Sequence, residues 1–181
     1  MLNVVVYPFM KTALVQSDIV WADPEANRSH LDELLSALPK VDLCVLPEMF
    51  STGFATLPEG IAEEDPCETL EWMKSKAAEL DCAIAGSVAL HCSDGYFNRF
   101  YFVKPDGSIT TYDKAHLFTF GGEGEYYTAG DKRVIVEWRG IRILLEICYD
   151  LRFAMWARNV ITPSGRPSYD LIIYPANWPI A

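Results

Sequence analysis

The chain has 181 residues, 50% of them hydrophobic, 22% charged and 13% aromatic, and 25 acidic against 15 basic side chains leave a net charge of −10. That size and balance describe one α/β-sized domain spanning residues 1–181 that buries about 70% of its unfolded-chain surface, which excludes disorder and fibrous repeats. Apolar runs such as Cys82 to Leu90 fall short of the roughly 20 residues of a membrane span, and a pI near 4.7 without a Lys/Arg cluster argues against a nucleic-acid partner, whose phosphates demand a basic surface.

The N-terminus Met1-Leu-Asn-Val-Val-Val-Tyr-Pro8 has no basic region or small-residue cleavage site, so Asn3–Tyr7 reads as a first strand rather than a secretory signal. Asp23-Pro24 places an N-cap before a proline at the first helical position, and Leu31, Leu34, Leu35 and Leu38 follow at helical spacing until Pro39 closes the helix. Val41–Leu46 is a buried strand that runs into Pro47-Glu48. Asp65-Pro66-Cys67-Glu68 reads as a capping box for a second helix with Leu70, Met73, Ala77 and Leu80 as its apolar stripe, and the strand Cys82–Leu90 comes next. Tyr96–Val103 and Ser108–Tyr112 form a hairpin about Pro105-Asp106-Gly107. After a glycine-containing loop, Val134–Trp138 and Ile141–Ile147 pair around Arg139-Gly140, a short helix covers Arg152–Asn159, and Tyr169–Tyr174 is a last strand before Pro175-Ala-Asn-Trp-Pro179.

This order predicts a layered α/β domain with a mixed sheet or two sheets, in which chemistry gathers at the carboxyl ends of strands. Glu48, Lys114, Cys148 and the Ala176-Asn177 segment all stand at such ends. Five cysteines with no C-x-x-C pair suit neither a disulfide framework nor a zinc site and fit a reducing cytoplasm. Cys148 lies where a strand breaks into a helix, a turn that exposes a nucleophile and favours thiolate through helix N–H groups; the other four cysteines read as core. A thiol needs a base, for which Glu48 is the candidate, and Lys114 would be a fixed cation beside the developing oxyanion.

The segments Leu46-Pro-Glu-Met-Phe-Ser-Thr-Gly-Phe54, Asn98-Arg-Phe-Tyr-Phe-Val-Lys-Pro-Asp-Gly107, Tyr112-Asp-Lys-Ala-His-Leu-Phe118, Ile147-Cys-Tyr-Asp-Leu-Arg-Phe153 and Ala176-Asn-Trp-Pro179 together resemble the nitrilase superfamily of carbon–nitrogen hydrolases, and within it the omega-amidase branch. The resemblance implies a four-layer α-β-β-α sandwich, a Glu48-Lys114-Cys148 active site with Glu123 as a second glutamate (Glu125 is the alternative), and an oxyanion site completed by the backbone N–H of Tyr149. It further implies hydrolysis of a small carboxylate-bearing amide such as 2-oxoglutaramate through a cysteine thioester, with no metal or organic cofactor, in a homodimer. Phe50, Phe118 and Trp178 are candidates to line the pocket, and Asp150 and Arg152 to pair and support the turn. The residues do not show which cation meets the substrate carboxylate.

Two features depart from the family pattern. Glu146 shares a sheet face with Cys148 by two-residue periodicity, which would set a second carboxylate against the thiolate, and the chain stops at Ala181, where family members continue, so the C-terminal part of the sandwich is expected to be missing. Two alternatives follow. His116, two residues from Lys114, would serve as the base of a Cys–His hydrolase, or the chain would be an inactive fragment or pseudo-enzyme that acts only in binding.

Overall fold

The computed structural model describes residues 9–178. In chain order its elements are β1 (Thr12–Leu14), α1 (Pro24–Ser36), β2 (Leu43–Val45), β3 (Glu63–Glu64), α2 (Glu68–Leu80), β4 (Ala83–Cys92), β5 (Gly95–Val103), β6 (Ile109–Asp113), β7 (Val134–Trp138), β8 (Ile141–Leu145), α3 (Ala154–Ala157) and β9 (Leu171–Ile173). The strand expected at Asn3–Tyr7 and the proline at position 179 lie outside the described residues.

Two sheets form. The larger runs β1-β2-β4-β5-β6, with β3 pairing β4; β1, β2 and β4 are parallel, and β4, β5 and β6 are antiparallel. The smaller is β7-β8-β9, with β7 antiparallel and β9 parallel to β8.

Alternation along the strands decides the layering. Ile84, Val88 and Leu90 of β4 face Leu31, Leu35, Met73 and Ala77 of the two long helices. Ala83 and Ala85, with Phe100 and Phe102 of β5, face Val136, Ile143 and Leu145 of the smaller sheet. The described residues therefore stack helix, sheet and sheet, and the helical segments between β8 and β9 are the 3-10 turn Cys148–Arg152 and the four-residue α3. That replaces the single helix expected over Arg152–Asn159.

The start of α1 follows its sequence signal: Asp23 Oδ1 accepts from Ala26 N at 2.9 Å with proline in the first turn. The start of α2 does not. Its N-cap is Cys67, whose side chain makes no cap bond, and the carboxylate that reaches the helix is Glu63, accepting from Thr69 N at 3.2 Å. Glu63 belongs to β3, a strand too short and too polar for periodicity to show.

Candidate active site

Tyr112 and Lys114 share one parity on and just past β6, and Asn98, Phe100 and Phe102 share one on β5. That side faces the smaller sheet, whereas Arg99 and Asp113, on the opposite side, pair with each other at 2.7 Å. The ladder continues one step beyond β6, because Lys114 N donates to Asn98 O at 3.0 Å. Lys114 is thereby carried into the interior beside Asn98, and it is 1% exposed.

At the carboxyl end of β2, Leu46 N still bonds Ala85 O at 2.7 Å. The chain then turns, with Met49 at φ +47° and its N–H bonded to Ser87 Oγ at 3.0 Å. Glu48, held in that turn, is fully buried. Lys114 Nζ lies 2.8 Å from Glu48 Oε1 and 2.8 Å from Glu123 Oε2. Asn98 Nδ2 donates to both carboxylates, at 2.9 Å to Glu48 and 3.0 Å to Glu123. Phe118 N donates to Glu123 at 2.6 Å, and Asn177 N donates to Glu48 Oε2 at 3.2 Å. Glu125 is exposed, so Glu123 is the glutamate of this cluster.

Cys148 follows β8 with φ +40°, a left-handed conformation that few non-glycine residues adopt. Its N–H is tied to Pro175 O at 3.0 Å, and its thiol shares one cavity wall with Glu48. The Trp178 indole N–H also donates to Cys148 Sγ, at 3.1 Å. The cavity in front is about 390 Å³, and its walls include Glu48, Lys114, Phe118, Cys148, Tyr149, Arg152 and Trp178. Tyr149 N–H sits in the first turn of the 3-10 helix, where N–H groups have no intrahelical acceptor.

The electrostatics of these groups are coupled. Burial pushes Glu48 above the usual carboxylate range; Lys114 pulls the other way and Glu123 adds to the rise. For Lys114, burial opposes the charged form, yet the two carboxylates outweigh it and hold the ammonium. Burial, reinforced by Glu48, pushes the Cys148 thiol up to about 12. This corrects the expectation of a thiolate. The turn after Cys148 is a five-residue 3-10 segment with too few aligned peptides to supply a strong dipole, and the nearest carboxylate disfavours a second negative charge. The thiol must hand its proton to a base before it attacks.

Four further expectations are corrected. Phe50 does not line the cavity; it is wholly buried in the helix-side core, with its ring 5.9 Å from that of Trp72. Asp150 does not pair with Arg152: its carboxylate takes His116 N and Nδ1, Tyr112 OH and Ile147 N, while Arg152 points to the cavity. Glu146 does not face the thiol, because the left-handed turn at Cys148 ends the two-residue alternation; Tyr112 and Asp150 are its neighbours. His116 is not among the residues lining the Cys148 cavity. Its Nδ1 is 2.7 Å from Asp150 and its ring stacks on Phe153 with centroids 3.6 Å apart.

Asn98, Asn177 and Phe54 received no role from sequence reasoning. Phe54 lies under the Lys114 ammonium, 5.3 Å from its ring centroid. The available signal for Asn98 was an amide set among aromatics in Tyr96-Phe97-Asn98-Arg99-Phe100, since a polar side chain on an interior face needs polar partners.

Known proteins share this arrangement of chain. The profile of the carbon–nitrogen hydrolase family matches residues 11–167. An omega-amidase, YafV, of Yersinia enterocolitica is 47% identical over 178 residues, covering 95% of this chain and 64% of its own. A 2-oxoglutaramate amidase of Bacillus subtilis is 33% identical, covering 92% of this chain and 64% of its own. Among solved structures, a carbon–nitrogen hydrolase superfamily protein of Xanthomonas campestris, described with an arsenic adduct in its active site, superposes with a TM-score of 0.90 at 42% identity, over 94% of this chain and 65% of that one. The chain thus spans just under two thirds of the length of these relatives.

Proposed function

Because the chain belongs to the carbon–nitrogen hydrolase family, we propose that it carries the catalytic centre of an amidase acting on a small carboxylate-bearing amide, with 2-oxoglutaramate as the representative substrate. The convergence of Glu48, Lys114, Glu123 and Cys148 on one cavity is the observation that carries this reading, and the omega-amidase and 2-oxoglutaramate amidase relatives support the substrate class.

Glu48, raised in pKa and on the same cavity wall as the thiol, takes the Cys148 proton as sulfur attacks the amide carbon. An ammonium has three protons. Two of those on Lys114 are held by Glu48 and Glu123, and the third, with the Tyr149 N–H, is available to the oxyanion. Glu48 returns its proton to the departing ammonia, leaving a thioester; a water deprotonated by Glu48 and oriented by Glu123 then hydrolyses it. Every step uses side chains and water, so none calls for a metal or organic cofactor. The substrate carboxylate meets Arg152. Among the described residues the arginine salt bridges are those of Arg28, Arg99, Arg139 and Arg142, and Arg152 lines the mouth of the cavity without an acidic partner. Two such chains pair as a homodimer through the apolar surface beside the cavity, where Leu151 and Met155 are 54% and 78% exposed; gel filtration showing a stable monomer would overturn that part.

Ammonia release from 2-oxoglutaramate tests the reading. Cys148→Ala is expected to abolish it, by about 10⁴-fold or more. Arg152→Gln is expected to raise KM about 10- to 100-fold with a smaller change in kcat, and to leave the kcat/KM of an uncharged short amide unaltered. Full activity in the Cys148 variant would sink the assignment.

A further inference from the structure

We infer that Asp150 is a positioning residue that sets the separation of Lys114 and Cys148. It is fully buried and does not line the cavity, so it acts through what it holds. Its Oδ1 accepts from His116 N at 2.9 Å and His116 Nδ1 at 2.7 Å. Its Oδ2 accepts from Tyr112 OH at 2.8 Å and Ile147 N at 2.9 Å. The same tyrosine oxygen receives Ala115 N at 3.1 Å.

These bonds fall on two pieces of backbone. Ile147 immediately precedes Cys148, and Ala115 and His116 immediately follow Lys114. One carboxylate therefore clamps the turn that presents the sulfur to the strand end that presents the ammonium. A carboxylate is acceptor on both oxygens, and all its donors here are N–H or O–H groups, two of them, Tyr112 OH and Ile147 N, in buried bonds. Isosteric asparagine keeps one oxygen but turns an N–H₂ group towards either the Ile147 N–H or the two His116 donors, so one side of the clamp must open. His116 serves the clamp as a donor through Nδ1, which explains why an imidazole two residues from Lys114 is stacked on Phe153 and edge-on to Trp156 instead of facing the thiol.

An opening of the clamp shifts the thiol against Lys114 and Glu48, and displacements of about 1 Å between reacting groups can cost about 100-fold in rate. The inference rests on the amidase reading for its rate assay and is independent of it for its labelling assay. In Asp150→Asn, kcat for 2-oxoglutaramate per folded molecule is expected to fall about 10- to 100-fold with KM within about threefold, and iodoacetamide modification of Cys148 at pH 7 to slow about tenfold. His116→Asn, whose amide nitrogen substitutes for Nδ1, is expected to keep kcat within about threefold, whereas His116→Ala loses about tenfold. A role confined to stability would lower the melting temperature and leave kcat per folded molecule and the labelling rate unchanged, which would overturn the inference. Should Asp150→Asn not fold, Tyr112→Phe, which removes one donor and leaves the carboxylate, decides with His116→Ala: kcat unchanged in both overturns it. If the unaltered protein released no ammonia, the amidase reading would fail, and the labelling rates would still decide the role of Asp150.

Discussion

Glu48 is asked to be a base although it lies 2.8 Å from an ammonium that favours its charged form. Burial and Glu123 offset that pull and leave its pKa above the usual carboxylate range, which brings a glutamate closer to the pH at which it has to exchange protons. The rate should therefore rise with pH along an acid limb centred above the ordinary glutamate value of about 4.3. Glu48→Gln should remove that limb, lower kcat about 10²- to 10⁴-fold and leave KM little changed; a pH–rate profile of the variant checks both. The opposing reading, in which His116 is the base, predicts an active Glu48→Gln enzyme. Glu48 and Cys148 were legible as candidates because each follows an apolar strand with a reactive side chain, and Lys114 because it stands as a cation just past the end of a more polar strand. The protonation state of Cys148 was not, because a strand-to-helix turn in sequence does not reveal how short the helix is or which carboxylate folds over the sulfur.

Among the elements, the loop that leaves β6 at Lys114 and returns at Gly130 holds Glu123 and Phe118 against the site. Its return is close: Gly130 N donates to Lys114 O at 2.9 Å, and a Cβ on Gly130 would lie 2.1 Å from the backbone oxygen of Asp113. Backbone cannot swing aside as a side-chain tip can. Gly130→Ala should thus destabilise by about 1–3 kcal/mol and also lower kcat by displacing Lys114. Gly124→Ala, whose Cβ would meet its nearest neighbour at 3.9 Å, should leave both nearly unchanged; thermal melts and initial rates separate the two. The regular elements with strong local signals, α1 with its Asp23 cap and the strands from β4 to β8, were legible to within a few residues. β1 and β3 were not, because three and two residues of mixed polarity carry no period and become strands only through β2 and β4. For the same reason the cap of α2 was misread: Glu63, which supplies it, is brought there by pairing with Leu90, not by adjacency in sequence.

At the scale of the whole molecule, two sheets packed face to face leave Glu146 buried between Tyr112, Asp150 and Arg133. Burial, with Asp150 adding to it and Arg133 opposing, raises its pKa from 4.5 to about 8. The single Tyr112 hydroxyl proton goes to Asp150 at 2.8 Å, so the 3.5 Å contact to Glu146 suits a protonated carboxyl. Because the folded-state pKa is the higher one, this group's contribution is fully present below about pH 4.5 and is lost as pH rises through about 8. Melting temperature should accordingly decline across that window, at about 2–4 °C per kcal/mol for a chain of this size, and Glu146→Gln should flatten the decline. An equal slope in the variant would refute this account of Glu146. The described residues contain no helix long and apolar enough to cross a membrane, and no group of three or more His, Cys, Asp or Glu side chains placed to hold a metal ion.

Local chemistry by itself determined the alternation of helices and strands, the strand ends on which reactive residues sit, and, through five motifs in order, the family. Those properties reside in short stretches of chain, where periodicity, caps and spacing act over a few residues. Tertiary structure alone decided that Asn98 bridges two carboxylates, that Phe50 is core, that Arg152 is unpaired at the cavity while Asp150 clamps two backbones, and that burial and Glu48 push the Cys148 thiol up. They depend on desolvation and on contacts between residues far apart in the chain, such as Asn98 with Glu123, 25 positions on, and Lys114 with Glu48, 66 positions away, and burial has no signature in the residue that undergoes it.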